Sequence, residues 1–341
     1  MSPRLPHIAI ITPYLADANN GNWRTAHRWQ QLLSDKFKVI VHNEFAADAL
    51  ADADLLIALH ARRSAAIIQQ FRSQFPQKPL VVTLTGTDLY RDLNDNADSA
   101  NTRHSLELAD ALIVLQEDAI QFLPHEHRHK AHVIYQSARP LRRAQKQKGK
   151  LDCVVVGHLR AEKSPQTIFQ LMPLLHADAP IKILHVGAGL DENLAVEARA
   201  LAAHDARYRW AGALPHGLTR AAIKRAHLLI HPSIMEGGAN VIVEAILSGT
   251  PVLASHMSGN IGMLGREYDG YFPVGDVTAL KQLLQRCLND ANFLARLNTS
   301  CAGRAKLFLP ATERMSLCQL VQGLLDSPNN ARAKTNQPRR A

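Results

Sequence analysis

The sequence predicts an α/β chain built as two doubly wound domains, and three observations predict it. Short apolar runs alternate with helix-period segments along almost the whole length. One basic, acid-free stretch interrupts that alternation near the middle, and 341 residues exceed what a single hydrophobic core comfortably supports.

In the first half, residues 7–12, 38–42, 55–59, 80–84 and 111–115 read as buried strands, separated by helix-period segments such as 23–33 and 65–74. Such a βαβ series implies a parallel sheet covered by helices on both faces. A last run at 133–136 closes a first domain over 1–138, and 139–150 is expected as a basic linker. A second series opens at 151–156 and continues through 181–186, 208–212, 228–232, 251–254 and 270–273, which sets a second domain at 151–309. Residues 310–326 are a helix candidate, with Thr312 as N-cap and Glu313 in its first turn, expected to pack back on the first domain. The polar segment 327–341 is expected to be a disordered tail. Two such domains side by side would face a central cleft at the carboxyl ends of both sheets, where ligands of doubly wound folds bind.

The formal charge of +9 invites a polyanion partner, but its distribution argues against one. Arg139, Arg142, Arg143, Lys146, Lys148 and Lys150 lie in the linker stretch, and Arg332, Lys334, Arg339 and Arg340 in the tail. Without these ten charges the body is close to neutral, and at 5% aromatic residues few stacking platforms exist for single-stranded nucleic acid. No nucleic-acid partner and no membrane insertion are expected. Cys153, Cys287, Cys301 and Cys318 are widely spaced and read as buried thiols, neither a zinc site nor a disulfide framework. The opening MSPRLPHIAIITPYL reads as a first strand rather than a signal peptide, which leaves the cytoplasm as the default compartment. Oligomeric state is not readable.

The segment HPSIMEGGANVIVE, from His231 to Glu244, follows a strand and enters a helix. Gly237 and Gly238 allow close ligand approach, and amides at the helix start suit an anion such as a diphosphate. Glu236 and Glu244 are eight positions apart, so on one continuous helix they would address an elongated ligand from the same side. Glu244 lies among Val241, Ile242, Val243 and Ala245, where an unpaired carboxylate is costly, so a ligand is the expected partner. In VVVGHLRAEKSP, Gly157, Arg160 and Lys163 follow the first strand of the second domain, where two cations can neutralise a leaving diphosphate. HVGAGLDE places Gly187 and Gly189 after a strand without the full dinucleotide fingerprint, so a nicotinamide cofactor is poorly supported.

On these residues, with SGTPVLAS after Glu244, the sequence resembles the donor half of GT-B glycosyltransferases of the retaining family four, whose two domains are Rossmann-like. The resemblance implies that Glu236 contacts the donor sugar, Glu244 binds the ribose hydroxyls, and Arg160 and Lys163 hold the diphosphate. It further implies that Gly187 and the turn from Ala211 to Leu214 line the nucleotide, and that Ala239 and Asn240 complete the donor set. No metal and no cofactor is expected, because no credible Asp-x-Asp loop occurs.

The first domain would take the acceptor. In DANNGNWRTAHRW, Asn19, Asn20, Gly21 and Asn22 form a polar turn opening a helix that carries Arg24 in its first turn, an anion-suited arrangement. LTGTDLYRD supplies Thr87, Asp88 and Arg91, at a place where many family members carry a histidine. Asp88 is therefore the catalytic candidate and Thr87 and Arg91 acceptor-binding candidates, with His60, Arg62, Arg63 and His104 further possibilities. Taken together, NNGNWRTAHRW, TGTDLYRD, EGGANVIVEA and SGNIGMLGREYDGYFPVGD resemble the selenosugar synthases, glycosyltransferases of selenoneine biosynthesis. That resemblance implies UDP-N-acetylglucosamine and selenophosphate as substrates and a carbon–selenium bond as the product. A selenium nucleophile is already anionic, so it would need no strong general base. The alternatives are a hydroxyl acceptor, a UDP-sugar epimerase, and a nucleotide-sugar sensor without turnover.

Overall fold

The computed structural model describes residues 4–13, 21–44, 50–93 and 99–327. Tertiary contacts divide the chain into two units, residues 1–136 with 310–341, and residues 137–309.

The first unit holds a six-stranded sheet of β1 (His7–Ile11), β2 (Lys38–His42), β3 (Leu55–Leu59), β4 (Leu80–Leu84), β5 (Ala111–Val114) and β6 (Ala131–Val133), in the order β2-β1-β3-β4-β5-β6. Every neighbouring pair is parallel, with Ile8 beside Leu55 and Leu59 beside Thr83. Both faces are apolar because both are covered. Ile8, Ile10, Leu55 and Ile57 point into one core with Trp29 and Leu33 of α1 (Gly21–Leu33). Ala9, Ile11, Leu56 and Ala58 point into the other, with Ile68 and Phe71 of α2 (Ala65–Gln74). The helical turn α3 (Thr87–Tyr90) follows β4, and α4 (Ser99–Leu108) adds Leu106 to the second core.

The second unit holds β7 (Leu151–Val156), β8 (Ile181–Val186), β9 (Tyr208–Trp210), β10 (Leu228–His231), β11 (Val252–Ser255) and β12 (Tyr271–Phe272), in the order β12-β11-β10-β7-β8-β9, again all parallel. Its helices are α5 (Pro165–Leu171), α6 (Glu192–His204), α7 (His216–Arg225), α8 (Asn240–Ile246), α9 (Ser258–Leu264), α10 (Val277–Asn289) and α11 (Ala291–Arg304). The order reverses between β7 and β10, which makes the crevice beyond the carboxyl ends of those two strands the ligand position of this unit. In the first unit the same reversal lies between β1 and β3.

Three expectations change. The stretch 139–150 is not a free linker: it straps onto the second unit, with Leu141 N–H donating to Leu247 O at 2.9 Å and Lys146 Nζ to Gly249 O at 3.2 Å. Burial, with Arg143 beside it, pulls the Lys146 ammonium down to about 8. The last helix, α12 (Pro310–Asp326), keeps the expected bounds, but Thr312 lies within its first turn and is not the N-cap, since proline's fixed φ and missing N–H suit the first helical position. Glu313 is more than a first-turn charge. Its buried carboxylate accepts from Trp29 Nε1 at 2.7 Å and Arg28 Nε at 2.9 Å, which pins α12 to α1. The tail from 328 lies outside the described residues. All four cysteines are buried free thiols, and no described helix is long and apolar enough to cross a membrane.

Candidate active site

Two loops flank the strand reversal of the second unit, 157–164 after β7 and 232–239 after β10, and the Ile234 N–H to Glu162 O bond of 2.9 Å ties them together. The stem of Lys163 lies along Gly157, where an added Cβ would stand 3.3 Å from Lys163 Cγ. Glycine there lets Lys163 turn inward to form an ion pair with Glu236 Oε1. His231 Nε2, at the end of β10, lies 3.3 Å from the same oxygen. Burial alone would raise the Glu236 carboxyl, but the Lys163 ammonium, with the nearby His231 ring adding to its pull, outweighs it and holds the acid well below the carboxylate range. Burial drives the His231 ring the other way, below its ordinary value, against the pull of Glu236. The result is a charged Lys–Glu pair with a neutral histidine behind it. Arg160 stands on the outer side of the same loop, half-exposed and 3.8 Å from Glu162.

The helix after β10 begins at Asn240, not at Glu236. Glu236, Gly237, Gly238 and Ala239 form a loop, so the two-turn spacing of Glu236 and Glu244 on one helix face does not exist. Glu244 sits on α8, only 8% exposed, and its partner is a protein group, His216 Nε2 at 2.6 Å. A ligand was the expected partner because His216 lies 28 positions away on α7, a distance no local pattern reveals. Beside the Glu236 loop lies a further short helix. It is α9, whose Gly259 presses on the Glu236 backbone so closely that a Cβ would stand 2.1 Å from Glu236 O. Below it, Asn260 Nδ2 donates to Ser255 O at 2.9 Å, and the Ser255 hydroxyl donates to Ser233 O, which fixes the loop from beneath.

The nucleotide-side turns are laced across β7, β8 and β9. Gly187 N–H donates to Gly212 O at 2.8 Å, and Ala211 N–H to His185 O at 2.9 Å. Trp210 Nε1 donates to Gly187 O at 2.8 Å. Gly187 has no room for a side chain, since a Cβ would lie 1.9 Å from Gly157 O. His185 spans the strands underneath, between Gly157 O at 3.2 Å and the Tyr208 hydroxyl at 3.0 Å, and burial lowers it to about 4. The carbonyl must receive the Nε2 proton, so Nδ1 accepts from Tyr208. Leu214 closes this series just before α7.

In the first unit, Asp88 sits fully buried at the start of α3. Its Oδ1 accepts the Thr85 and Gly86 amides at 2.9 and 2.8 Å, and its Oδ2 the Ala61 amide at 2.9 Å. A carboxylate saturated by three backbone amides organises a turn, so the catalytic role expected of Asp88 gives way to a structural one. Thr87 remains half-buried beside it, 3.0 Å from His60 Nε2. Arg91 and Arg62 share Asp92, with Nε distances of 3.2 and 2.8 Å to its two oxygens. Gly21 and Asn22 open α1 and Arg24 sits in its first turn, whereas Asn19 and Asn20 lie outside the described residues. His104 is on the solvent side, paired with Glu107 at 3.2 Å. Among the described residues no group of three His, Cys, Asp or Glu side chains could hold a metal ion.

The sequence matches the model of the family described as glycosyl transferases group 1 over residues 114–303. This chain belongs to that family. Solved structures that it is similar to include sucrose-phosphate synthase from Thermosynechococcus elongatus, at TM-score 0.76 and 17% identity, covering 94% of this chain and 99% of that one. Another is HepE of Anabaena in complex with UDP and glucose, at TM-score 0.71 and 16% identity, covering 93% and 100%. A glycosyltransferase from Rickettsia africae follows at TM-score 0.69 and 11% identity, covering 94% and 99%. At these identities the likeness is one of fold, and the fold is that of GT-B glycosyltransferases. Among curated proteins, CapJ of Staphylococcus aureus is 43% identical over 61 residues, which are 18% of this chain and 15% of CapJ.

For this group 1 glycosyltransferase, sequence reasoning missed His231, His216 and His185. His231 opens the very segment singled out for its glutamates, and a histidine closing an apolar strand next to a conspicuous acid was the available signal. His216 and His185 carried none, because their partners are set by strand order and not by spacing.

Proposed function

We propose that this group 1 glycosyltransferase transfers a sugar, N-acetylglucosamine, from its UDP donor to selenophosphate, joining selenium to the anomeric carbon and releasing UDP. The observation that carries the donor half is the Lys163, Glu236 and His231 cluster at the strand reversal of the second unit. With a donor bound, Lys163 and Arg160 neutralise the diphosphate on which leaving-group charge develops. Glu236, held ionised by Lys163, accepts from a sugar hydroxyl, and Gly237, Gly238, Ala239 and Asn240 bring backbone close to the sugar and diphosphate. Glu244 takes the ribose hydroxyls, displacing or sharing His216. Gly157, Gly187, Ala211 and Leu214 line the nucleoside. HepE, of the same fold, is seen with UDP and glucose, which supports a UDP donor here.

The acceptor reading rests on the first unit's motifs. Asn20, Gly21, Asn22, Arg24, Thr87 and Arg91 offer donors and cations to a small anion, and Asp88, buried and taken up by three backbone amides, is not presented to it as a base. That suits a nucleophile that arrives ionised. Incubation with UDP-N-acetylglucosamine and selenophosphate, followed by mass spectrometry, should show one selenium-containing sugar per UDP released. Product with a hydroxyl acceptor alone, or C2-epimerised UDP-sugar without transfer, overturns the acceptor assignment.

A further inference from the structure

We infer that His60 fixes the Thr87 hydroxyl as an outward hydrogen-bond donor, which makes the pair a selector for an acceptor oxyanion that carries no proton. The inference rests on the acceptor reading above and adds the residue that sets its specificity.

His60 follows β3 directly, and its φ of 71° lies in the left-handed region that few residues other than glycine adopt. Local bonds hold it there: His60 N–H donates to Thr83 O at 2.8 Å, Ser64 N–H to His60 O at 3.0 Å, and the Ser64 hydroxyl to Leu59 O at 2.7 Å. The ring is 2% exposed. A strained backbone maintained to aim one buried ring is a feature found at functional sites.

The surroundings decide the tautomer. Arg63 N–H points at Nδ1 from 3.4 Å, so Nδ1 is an acceptor. Asp88 Oδ2 is 3.7 Å from Nδ1, beyond hydrogen-bond reach, and already takes the Ala61 amide. The ring proton is therefore on Nε2, where it is donated to Thr87 Oγ1 at 3.0 Å. Burial comes first in lowering the ring's pKa, with Arg63 and Arg62 adding to it against Asp88 and Asp92, so the ring stays neutral at neutral pH. Protonation would not free Nε2 either, since it would still donate. His60 is thus unsuited to be a general base. It occupies a lone pair of the Thr87 oxygen and leaves the hydroxyl proton as what Thr87 can present.

The two residues follow neighbouring parallel strands, and β3 borders the strand reversal of this sheet. Three guanidinium groups, Arg62, Arg63 and Arg91, stand around two buried carboxylates, Asp88 and Asp92. A donating hydroxyl beside guanidinium groups matches a phosphoryl-type oxygen. It does not match an alcohol acceptor, whose proton the His60 ring, with Nε2 already donating to Thr87, is not placed to receive.

Calorimetric titration of inorganic phosphate into the full-length protein, without any UDP-sugar, tests the site independently of turnover. Wild type and Thr87→Ser should bind alike, and Thr87→Val should bind about tenfold or more weakly, the usual effect of losing a hydrogen bond to a charged group. In turnover, Thr87→Val and His60→Asn, a residue that tolerates positive φ, should raise the acceptor KM and leave the UDP-sugar KM unchanged. Equal phosphate binding by wild type and Thr87→Val, or no binding by wild type, overturns the inference. So does a His60→Asn enzyme that keeps its acceptor KM but loses kcat together with the acidic limb of the pH profile, which is the signature of a base. Wild type that binds phosphate but makes no selenosugar refutes the acceptor assignment and leaves this inference standing.

Discussion

Replacing Lys163 with methionine keeps an alkyl stem against Gly157 and deletes only the ammonium, leaving Glu236 with the neutral His231 as its polar neighbour. Breaking a fully buried pair on one side costs about 3–5 kcal/mol. The two side chains here are 19% and 12% exposed and His231 stays in place, so a cost of about 2 kcal/mol at pH 7 is expected. For a unit of this size that corresponds to a melting shift of roughly 4–8 °C. The pH dependence carries the sharper test. In the wild type the Glu236 pKa is depressed, so its stabilisation is present above the unfolded value of about 4.3 and fades as pH falls toward the folded one. In Lys163→Met the opposing ammonium is gone and burial raises the acid, so the variant gains on protonation. The gap between the two proteins should close as pH drops from 7 to 4, followed by scanning calorimetry. A gap that stays constant over that range refutes the electrostatic account. Turnover should fall by roughly 100-fold or more at pH 7, as for loss of a group that stabilises transition-state charge.

Gly187→Ala should lower the yield of folded protein sharply or cost about 3 kcal/mol or more in melting experiments, because its methyl would stand 1.9 Å from Gly157 O. Glu313→Ala leaves the Trp29 indole N–H buried without its acceptor, and should cost about 2–3 kcal/mol and expose α12 to limited proteolysis. Glu244→Ala should weaken UDP binding by calorimetry about 10- to 100-fold, the range for a hydrogen bond to a charged group, while His216→Ala should change it less. A metal chelator should leave sugar transfer unchanged in a rate assay, which tests the expectation that the diphosphate is neutralised by Arg160 and Lys163.

Strand positions were legible because a parallel strand covered on both faces needs a mainly apolar run, and 55–59, 80–84, 151–156 and 181–186 coincide with β3, β4, β7 and β8, whereas 38–42, expected as a buried strand, is the edge strand β2 with no buried residue. Glu236, Lys163 and Gly157 were legible as site candidates because charge and glycine cluster in loops that follow such runs. The start of α8 was not, since Gly237 and Gly238 are compatible with a loop or a helix start and only the packing of Gly259 against Glu236 O settles the choice. Asp88 looked available for chemistry because its neighbours in sequence are small and polar, and the amides that consume it include one from Ala61, 27 positions away.

The sequence by itself determined the alternation of strand and helix, the two-unit division and the stock of charged groups, because each depends on residues a few positions apart. Tertiary structure decided which charges meet. Lys163 reaches Glu236 and His216 reaches Glu244 because parallel strands return every connecting loop to the same edge of the sheet, and strand order, not sequence distance, then selects the neighbours. For the same reason the histidine near Thr87 comes from β3, the strand alongside, and not from the loop of Thr87 itself.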